Sequence, residues 1–393
     1  MSTKKLRFDE EELAENSSIF TAKEIFGQPE LWRKTYDLFM ESVTNLKSFL
    51  NPIFEKKDIQ ILLTGAGTSA YIGEVLAGPI QKNIKIPSRA VPTTDLVTHP
   101  ELFIMKDIPT LLISFARSGN SPESVKAVEL ANTVSKNIFH LVITCNSEGK
   151  LAKHSDNNNS FVLILPPESD DKSLAMTGSF SSMLLMGLFI ANINRLESIE
   201  QQVNILTVYA ENFFDRFIEE VKKIAKLDFH RAVFLGSGLF SGIARESHLK
   251  LQELTDGKII CKHDTFLGFR HGPKAVIDKK TLLVYLFSNN IYSQQYEIDL
   301  VNSINLNGSG CYKVGIMEKD LADIDLDSKI ILANNGEILD EEFLTVAEVL
   351  FAQTLGFYKS LELGLNPDSP SVSGMIHRVV QGVKLYDYNG QSK

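Results

Sequence analysis

"IQILLTGAGTSA", residues 59–70, decides how the chain folds. An apolar run ends in two closely spaced glycines and passes into the helical pattern "IGEVLAGPIQ", which reads as a buried strand, a tight turn and a helix. Three further runs of the same kind follow: "TLLISFA" (110–116), "HLVITCN" (140–146) and "SFVLILP" (160–166). Strands alternating with helices indicate an α/β fold with a parallel sheet covered on both faces.

The same order returns in "RAVFLGSG" (231–238), "TLLVYLFSNN" (281–290), "KVGIME" (313–318) and "SKIILANNG" (328–336). Gly65, Gly67 and Thr110 are matched by Gly236, Gly238 and Thr281, in each case 171 positions later. Three anchors at one offset predict a tandem duplication of an α/β domain, over residues 51–215 and 216–393. Residues 1–50 read as an N-terminal helical extension, because Leu31, Trp32, Tyr36, Phe39 and Val43 recur near the helical period. The stretch near 172–227, rich in Phe, Leu and Met, should join the halves. One large mixed sheet is the alternative.

Composition narrows the function classes. The 393 residues carry a formal charge of -9, which argues against a nucleic-acid backbone as partner. No apolar run approaches the roughly 18 residues of a membrane span, and the charged start "MSTKKLRFDEEELAENSS" lacks the apolar core of a secretory signal. The expectation is a cytoplasmic protein. Cys145, Cys261 and Cys311 lie far apart with no CxxC pair, so they read as buried thiols. His99, His154 and His230 form no metal-binding pattern, and no metal site is expected.

Ligands of open parallel sheets bind beyond the carboxyl ends of the strands, where helix N-termini point their free N–H groups outward. Two hydroxyl-rich loops belong there: "TGAGTSAY" after the first strand and "FARSGNSPES" (115–124) after the second. Gly67 and its neighbouring glycines allow close backbone approach, Thr68, Ser69, Ser118 and Ser121 offer hydroxyls, and Arg117 adds charge. Either loop alone is more simply read as helix capping; the two together describe a phosphate cradle. Neither matches the P-loop or the dinucleotide fingerprint. The corresponding loop of the second half, "FSNNIYSQQ", loses the Ser-Gly-Asn-Ser arrangement, so one copy binds and the other supports.

The second half adds "ARESHLKLQELTDGKIICKHDTFLGFRHGPKAVID". Glu246, Lys250 and Glu253 share one helix face, an arrangement usually met as a solvated row of ion pairs. "FRHGP" sets His271 at a rigid turn. A histidine that opens a sugar ring and a carboxylate that carries a proton between C2 and C1 are the two groups aldose/ketose interconversion requires, with no cofactor.

Together "TGAGTS", "SFARSGNSPES", "AMTGSFSS", "ARESHLKLQELTDGK", "FRHGPK" and "NPDSPSVSGMIHRVVQG" resemble the double SIS-domain sugar isomerases, and within them the tagatose-6-phosphate ketose/aldose isomerases, also described as galactosamine-6-phosphate deaminases. The resemblance runs from about residue 20 to 386. It implies two tandem SIS domains, each a parallel five-stranded sheet between helices, in a homodimer acting on a hexose 6-phosphate. It further implies Glu253 as the proton carrier and His271 as the ring opener, reaching across the dimer. Thr68, Ser69, Arg117, Ser118 and Ser121 would hold phosphate, Thr177 would touch the sugar, and Lys250 would tune Glu253. Ala116 stands where the related glucosamine-6-phosphate synthase has a serine, and Gln381 stands where that enzyme has a Schiff-base lysine. Synthase activity is therefore not expected, whereas a 2-amino aldose can still isomerise to a 2-imino ketose that water hydrolyses to release ammonia. A hexose-6-phosphate isomerase without deamination and a non-catalytic sugar-phosphate sensor are the alternative readings.

Overall fold

The computed structural model describes residues 4–153, 159–306, 308, 310–322, 324–334, 336–380 and 382–388. His154 and Gln381, singled out above, lie outside the described residues. Two five-stranded parallel sheets carry the fold. The first contains β1 (Gln60–Thr64), β2 (Ser88–Ala90), β3 (Thr110–Ala116), β4 (Ile138–Thr144) and β5 (Ser160–Ile164), in the order β2-β1-β3-β4-β5. The second contains β6 (Arg231–Leu235), β7 (Ile260–Asp264), β8 (Thr281–Leu286), β9 (Tyr312–Met317) and β10 (Ser328–Ile331), in the order β7-β6-β8-β9-β10. The topologies are the same. The registers agree as well: Gln60 pairs with Thr110 and Arg231 with Thr281, again 171 positions apart, so the separate-sheet reading holds against a single mixed sheet.

Strands β1, β3 and β8 are buried at every position, as expected of central strands with helices on both faces. The edge strands β2 and β7 were not among the expected ones. They are short or partly exposed, and "SRA" and "ICKHD" carry polar residues instead of an apolar run.

The glycine turns repeat for a steric reason. A Cβ on Gly65 would stand 2.5 Å from the Ser69 backbone, and one on Gly236 would stand 2.4 Å from the Phe240 carbonyl oxygen. Gly67 and Gly238 take φ of +55° and +58°, the left-handed region that L side chains avoid.

Helices seal the space between the sheets. Helix Gly178–Ala191 is buried along its whole length, since it packs on Gln28–Phe54, on Thr68–Ile84 and on the long final helix Glu341–Glu362. Its N-terminus is satisfied by Asp171, whose carboxylate accepts from the amides of Thr177 (2.8 Å), Gly178 (3.1 Å) and Ser179 (2.9 Å). The helical extension runs through Phe54 and buries Leu31, Trp32, Phe39, Val43, Leu46 and Leu50. A buried chain of bonds ties it inward: Trp32 Nε1 donates to Ser181 Oγ (2.9 Å), Ser181 to Gln28 Oε1 (2.6 Å), and Gln28 Nε2 to Gln353 Oε1 (2.7 Å). The chain's two end regions also meet, because Asp368 accepts the amides of Phe20 (3.1 Å) and Thr21 (2.7 Å) at the start of helix Ile19–Phe26.

Candidate active site

The order of the first sheet reverses between β1 and β3, and the loops beyond those two strands part around a cavity of about 300 Å3. Gly67, Thr68 and Ser69 line it from the first loop, and Arg117, Ser118 and Ser121 from the second. Helices Thr68–Ile84 and Pro122–Val134 begin at these loops and point their N-termini toward the cavity mouth. Neither helix has a side-chain cap bond, so Ser121 stands at the N-cap position with its hydroxyl unused for capping. Ser69 Oγ has only a distant contact with Met176 Sδ at 3.9 Å, and Ser118 Oγ accepts from the amide of Asn120 at 3.2 Å. Hydroxyls and a pair of helix N-termini on one concavity can bind one small anion such as phosphate.

Arg117 lines the same cavity in another capacity. Its guanidinium is buried and donates to the carbonyls of Ser173 (3.3 Å), Leu174 (3.2 Å) and Arg378 (2.6 Å). Burial draws its pKa below the usual arginine value. It ties the segment before helix Gly178–Ala191 and the C-terminal tail to the phosphate loop.

The opposite wall comes from helix Phe240–Leu254 of the second half, which supplies Lys250 and Glu253. The face that spacing suggested would be solvated is closed off. Glu246 and Lys250 are fully buried, and Glu253 keeps 24% of its side chain exposed at the cavity. Lys250 Nζ lies 2.6 Å from Glu253 Oε2 and 3.5 Å from Glu246 Oε1. Burial alone would lower the ammonium's pKa, but the two carboxylates outweigh it and the net shift is upward. Burial pushes Glu246 up to about 8 against the opposing charge of Lys250. The arrangement is a charged lysine that fixes one carboxylate at the cavity while a second sits beneath it.

Thr177 does not line the cavity. It is fully buried, with its amide and hydroxyl directed to Asp171, and its neighbours Leu174 and Met176 face the site instead. The expected sugar contact at Thr177 is therefore corrected: the hydroxyl serves a helix terminus. His271 lies on an exposed turn, its amide donating to Gly268 O at 3.0 Å, and it does not line the cavity of its own chain. Gly272 beside it has φ of +115°, which accounts for the glycine in the turn.

Met375, Ile376, His377, Arg378 and Val380 complete the cavity from the C-terminal tail, and sequence reasoning gave them no role in the site. Arg378 anchors this strap through Nε to Asp171 O (2.8 Å) and through its guanidinium to Asp170 (2.5 Å). The only signal was their place in the "NPDSPSVSGMIHRVVQG" segment, which has no secondary-structure period.

A second cleft, of about 600 Å3, opens at the matching turn of the second half. Gly238 and Leu239 line it with Pro79, Lys82, Arg195 and the acidic run Asp340, Glu341 and Glu342. It has no counterpart of the Thr68–Ser69 pair, because Leu239 and Phe240 stand there. The paired hydroxyl-bearing loops line the smaller cavity, and the larger cleft lacks them.

The SIS domain model matches residues 53–193, which span the first sheet. D-galactosamine-6-phosphate deaminase AgaS of Shewanella sp. strain ANA-3 is 38% identical over 96% of this chain and 94% of its own length. The enzyme of the same name from Escherichia coli is 38% identical over 94% and 96%. Among solved structures, one from Clostridium novyi, provisionally named a tagatose-6-phosphate ketose/aldose isomerase, has a TM-score of 0.95 at 44% identity over 99% of this chain and 100% of its own. The tagatose-6-phosphate ketose/aldose isomerase of E. coli has a TM-score of 0.87 at 34% identity over 94% and 97%. With this likeness running through both sheets and the cavity between them, the chain belongs to the SIS-domain family of sugar-phosphate enzymes that includes the galactosamine-6-phosphate deaminases AgaS.

Proposed function

We propose that the protein converts galactosamine 6-phosphate to tagatose 6-phosphate and ammonia. The observation that carries this reading is the meeting, in one cavity, of two hydroxyl-bearing loops suited to a phosphate and a carboxylate, Glu253, fixed by the buried Lys250. The loops hold the phosphate through Gly67, Thr68, Ser69, Ser118 and Ser121. Glu253 takes the proton from C2 of the open-chain amino aldose and returns it at C1, giving a 2-imino ketose. Lys250 aims Glu253, holding its carboxylate at 2.6 Å.

Ring opening requires a second acid/base group, and we assign it to His271 supplied by a second subunit. What supports a homodimer is the surface around that turn. Leu267, Ile291 and Tyr292 are exposed apolar side chains there, and Arg270 pairs with Asp299 (2.7 Å) to brace the turn against helix Ile291–Leu306. Cys145 and Cys261 are free thiols, in keeping with action in the cytoplasm, and among the described residues no helix is long and apolar enough to cross a membrane.

The test is ammonia release from galactosamine 6-phosphate, with glucosamine 6-phosphate and tagatose 6-phosphate run alongside. Release confined to the galacto substrate is expected. Binding of a hexose 6-phosphate with no ammonia would replace this reading by an isomerase, or by a sensor if no interconversion accompanies it.

A further inference from the structure

Isomerisation ends at a 2-imino ketose, and ammonia leaves only after water has added at C2 and the C2–N bond has broken. Glu253 and Lys250 are already engaged with each other and with the proton that travels between C2 and C1. Among the described residues lining the cavity, the other side chain of acid/base type is the imidazole of His377. His377 lines the cavity from the strap and is itself exposed to solvent.

Its neighbour is held from two directions. The Arg378 carbonyl accepts from buried Arg117 at 2.6 Å, and the Arg378 side chain grips Asp170 and the Asp171 carbonyl. One of those anchors is Asp171, whose carboxylate also accepts the first amides of the fully buried helix Gly178–Ala191, and another is the buried Arg117, so the residue before Arg378 is positioned by the core of the first half despite lying in irregular chain.

We propose that His377 is a catalytic residue of the hydrolytic half-reaction, an assignment that rests on the deaminase reading above. The imidazole accepts a proton from water as the water oxygen bonds to C2 of the protonated imine, giving a carbinolamine. It returns that proton to the nitrogen, the C2–N bond breaks with its electron pair leaving on nitrogen, and the remaining hydroxyl closes to the C2 carbonyl as its proton passes, through the imidazole, to the departing ammonia. Protonated imine and water thereby give ketose and ammonium, with nothing else consumed.

The experiment separates the two half-reactions in the full chain. His377→Asn protein and the wild type are incubated with galactosamine 6-phosphate in D2O, and two quantities are followed: ammonia, and deuterium gained at C2 of the recovered substrate by NMR. The variant is expected to exchange C2 hydrogen within about twofold of wild type, which also shows an intact fold and a working Glu253. Its ammonia release is expected to fall about 100-fold, the usual scale of a lost general acid/base. Exchange and release falling together would move His377 to ring opening or binding and overturn the assignment; unchanged release would overturn it as well. A wild type that exchanges hydrogen but liberates no ammonia would instead remove the deaminase reading, and this step with it.

Discussion

The two clefts of this protein occupy matching places in its internal repeat and have diverged in chemistry. In the first, Gly67 and Thr68 face Lys250 and Glu253; in the second, Gly238 and Leu239 face Pro79 and Lys82, each residue 171 positions from its mate. The glycines persist in both because the turn demands them, whereas the hydroxyl donors survive in only one. The second cleft has its acids tied up locally: Glu74 pairs with Arg245, Asp340 lies 3.6 Å from Arg195, and Glu342 accepts from Asn83 and Asn192. Duplication copied a backbone, and the residues just after each turn decide whether that backbone becomes a site.

The largest expected effect sets the mates Glu253 and Lys82 against each other. Glu253→Gln should lower ammonia release about 1000-fold while a bound hexose 6-phosphate still registers by calorimetry, because the amide is near-isosteric but cannot carry the proton. Lys82→Ala should leave turnover within twofold. Equal losses in the two variants would break the division between an active and a supporting cleft.

Next comes the buried ion pair, whose mate in the second cleft is the uncharged Pro79. Lys250→Met leaves Glu253 unheld and the buried Glu246, already raised to about 8, without a partner, so denaturant unfolding should show a loss of about 1 to 3 kcal/mol. The double variant with Glu246→Gln should recover much of that stability without recovering turnover. A single variant as stable as wild type would count against the buried charge as a structural element.

A further effect tests the loops. Ser118→Ala should raise KM by the equivalent of about 1 to 3 kcal/mol with kcat held, as expected for a hydrogen bond to a charged phosphate. Leu239→Ala, at the second cleft, should leave KM unaltered. Steady-state kinetics on both variants decides whether phosphate is held where we place it.

The smallest effect lies beneath the second cleft, where Glu297 and Glu348 are buried. Burial raises Glu297 to about 8, with Glu341 adding to the shift and the Ser288 amide opposing it. Burial, with the nearby Glu297, Glu318 and Glu341, raises Glu348 well above the usual carboxylate value. A carboxyl with a higher pKa folded than unfolded stabilises the protein fully below its unfolded value, and that contribution is lost as pH rises through the folded value. Stability should therefore decline from about pH 4.5 toward about pH 8 as far as Glu297 decides it. Glu297→Gln should flatten that decline and raise Tm at pH 8 relative to wild type, read from Tm against pH. A decline of the same slope in the variant would remove Glu297 as its source.

Much of the architecture was legible because burial on both faces writes itself as continuous apolar runs, as in "TLLISFA" and "TLLVYL". The edge strands were not, since three residues of "SRA" carry no period to detect. That two hydroxyl-bearing loops would meet at one cavity was legible from paired hydroxyl clusters at neighbouring strand ends. The burial of Glu246 and Lys250 was hidden, because one helix-face spacing serves both a solvated row and a sealed one; only the packing of Glu341–Glu362 and Thr68–Ile84 against Phe240–Leu254 tells them apart. Thr177 misled for a related reason: a hydroxyl-rich segment resembles a ligand loop until Asp171, six residues earlier, is seen to occupy its donors. His377 was invisible as a site residue because the strap is placed by single anchors from afar, Arg117 and Asp170.

The bonds from Asp368 to Phe20 and Thr21 set an order of events during synthesis. Helix Ile19–Phe26 emerges from the ribosome early, yet the carboxylate that accepts its first amides is about 350 residues behind. The cavity wall at Met375–Arg378 arrives later still. A nascent chain can therefore complete both sheets before the cavity is walled in, the strap being laid onto a preformed body.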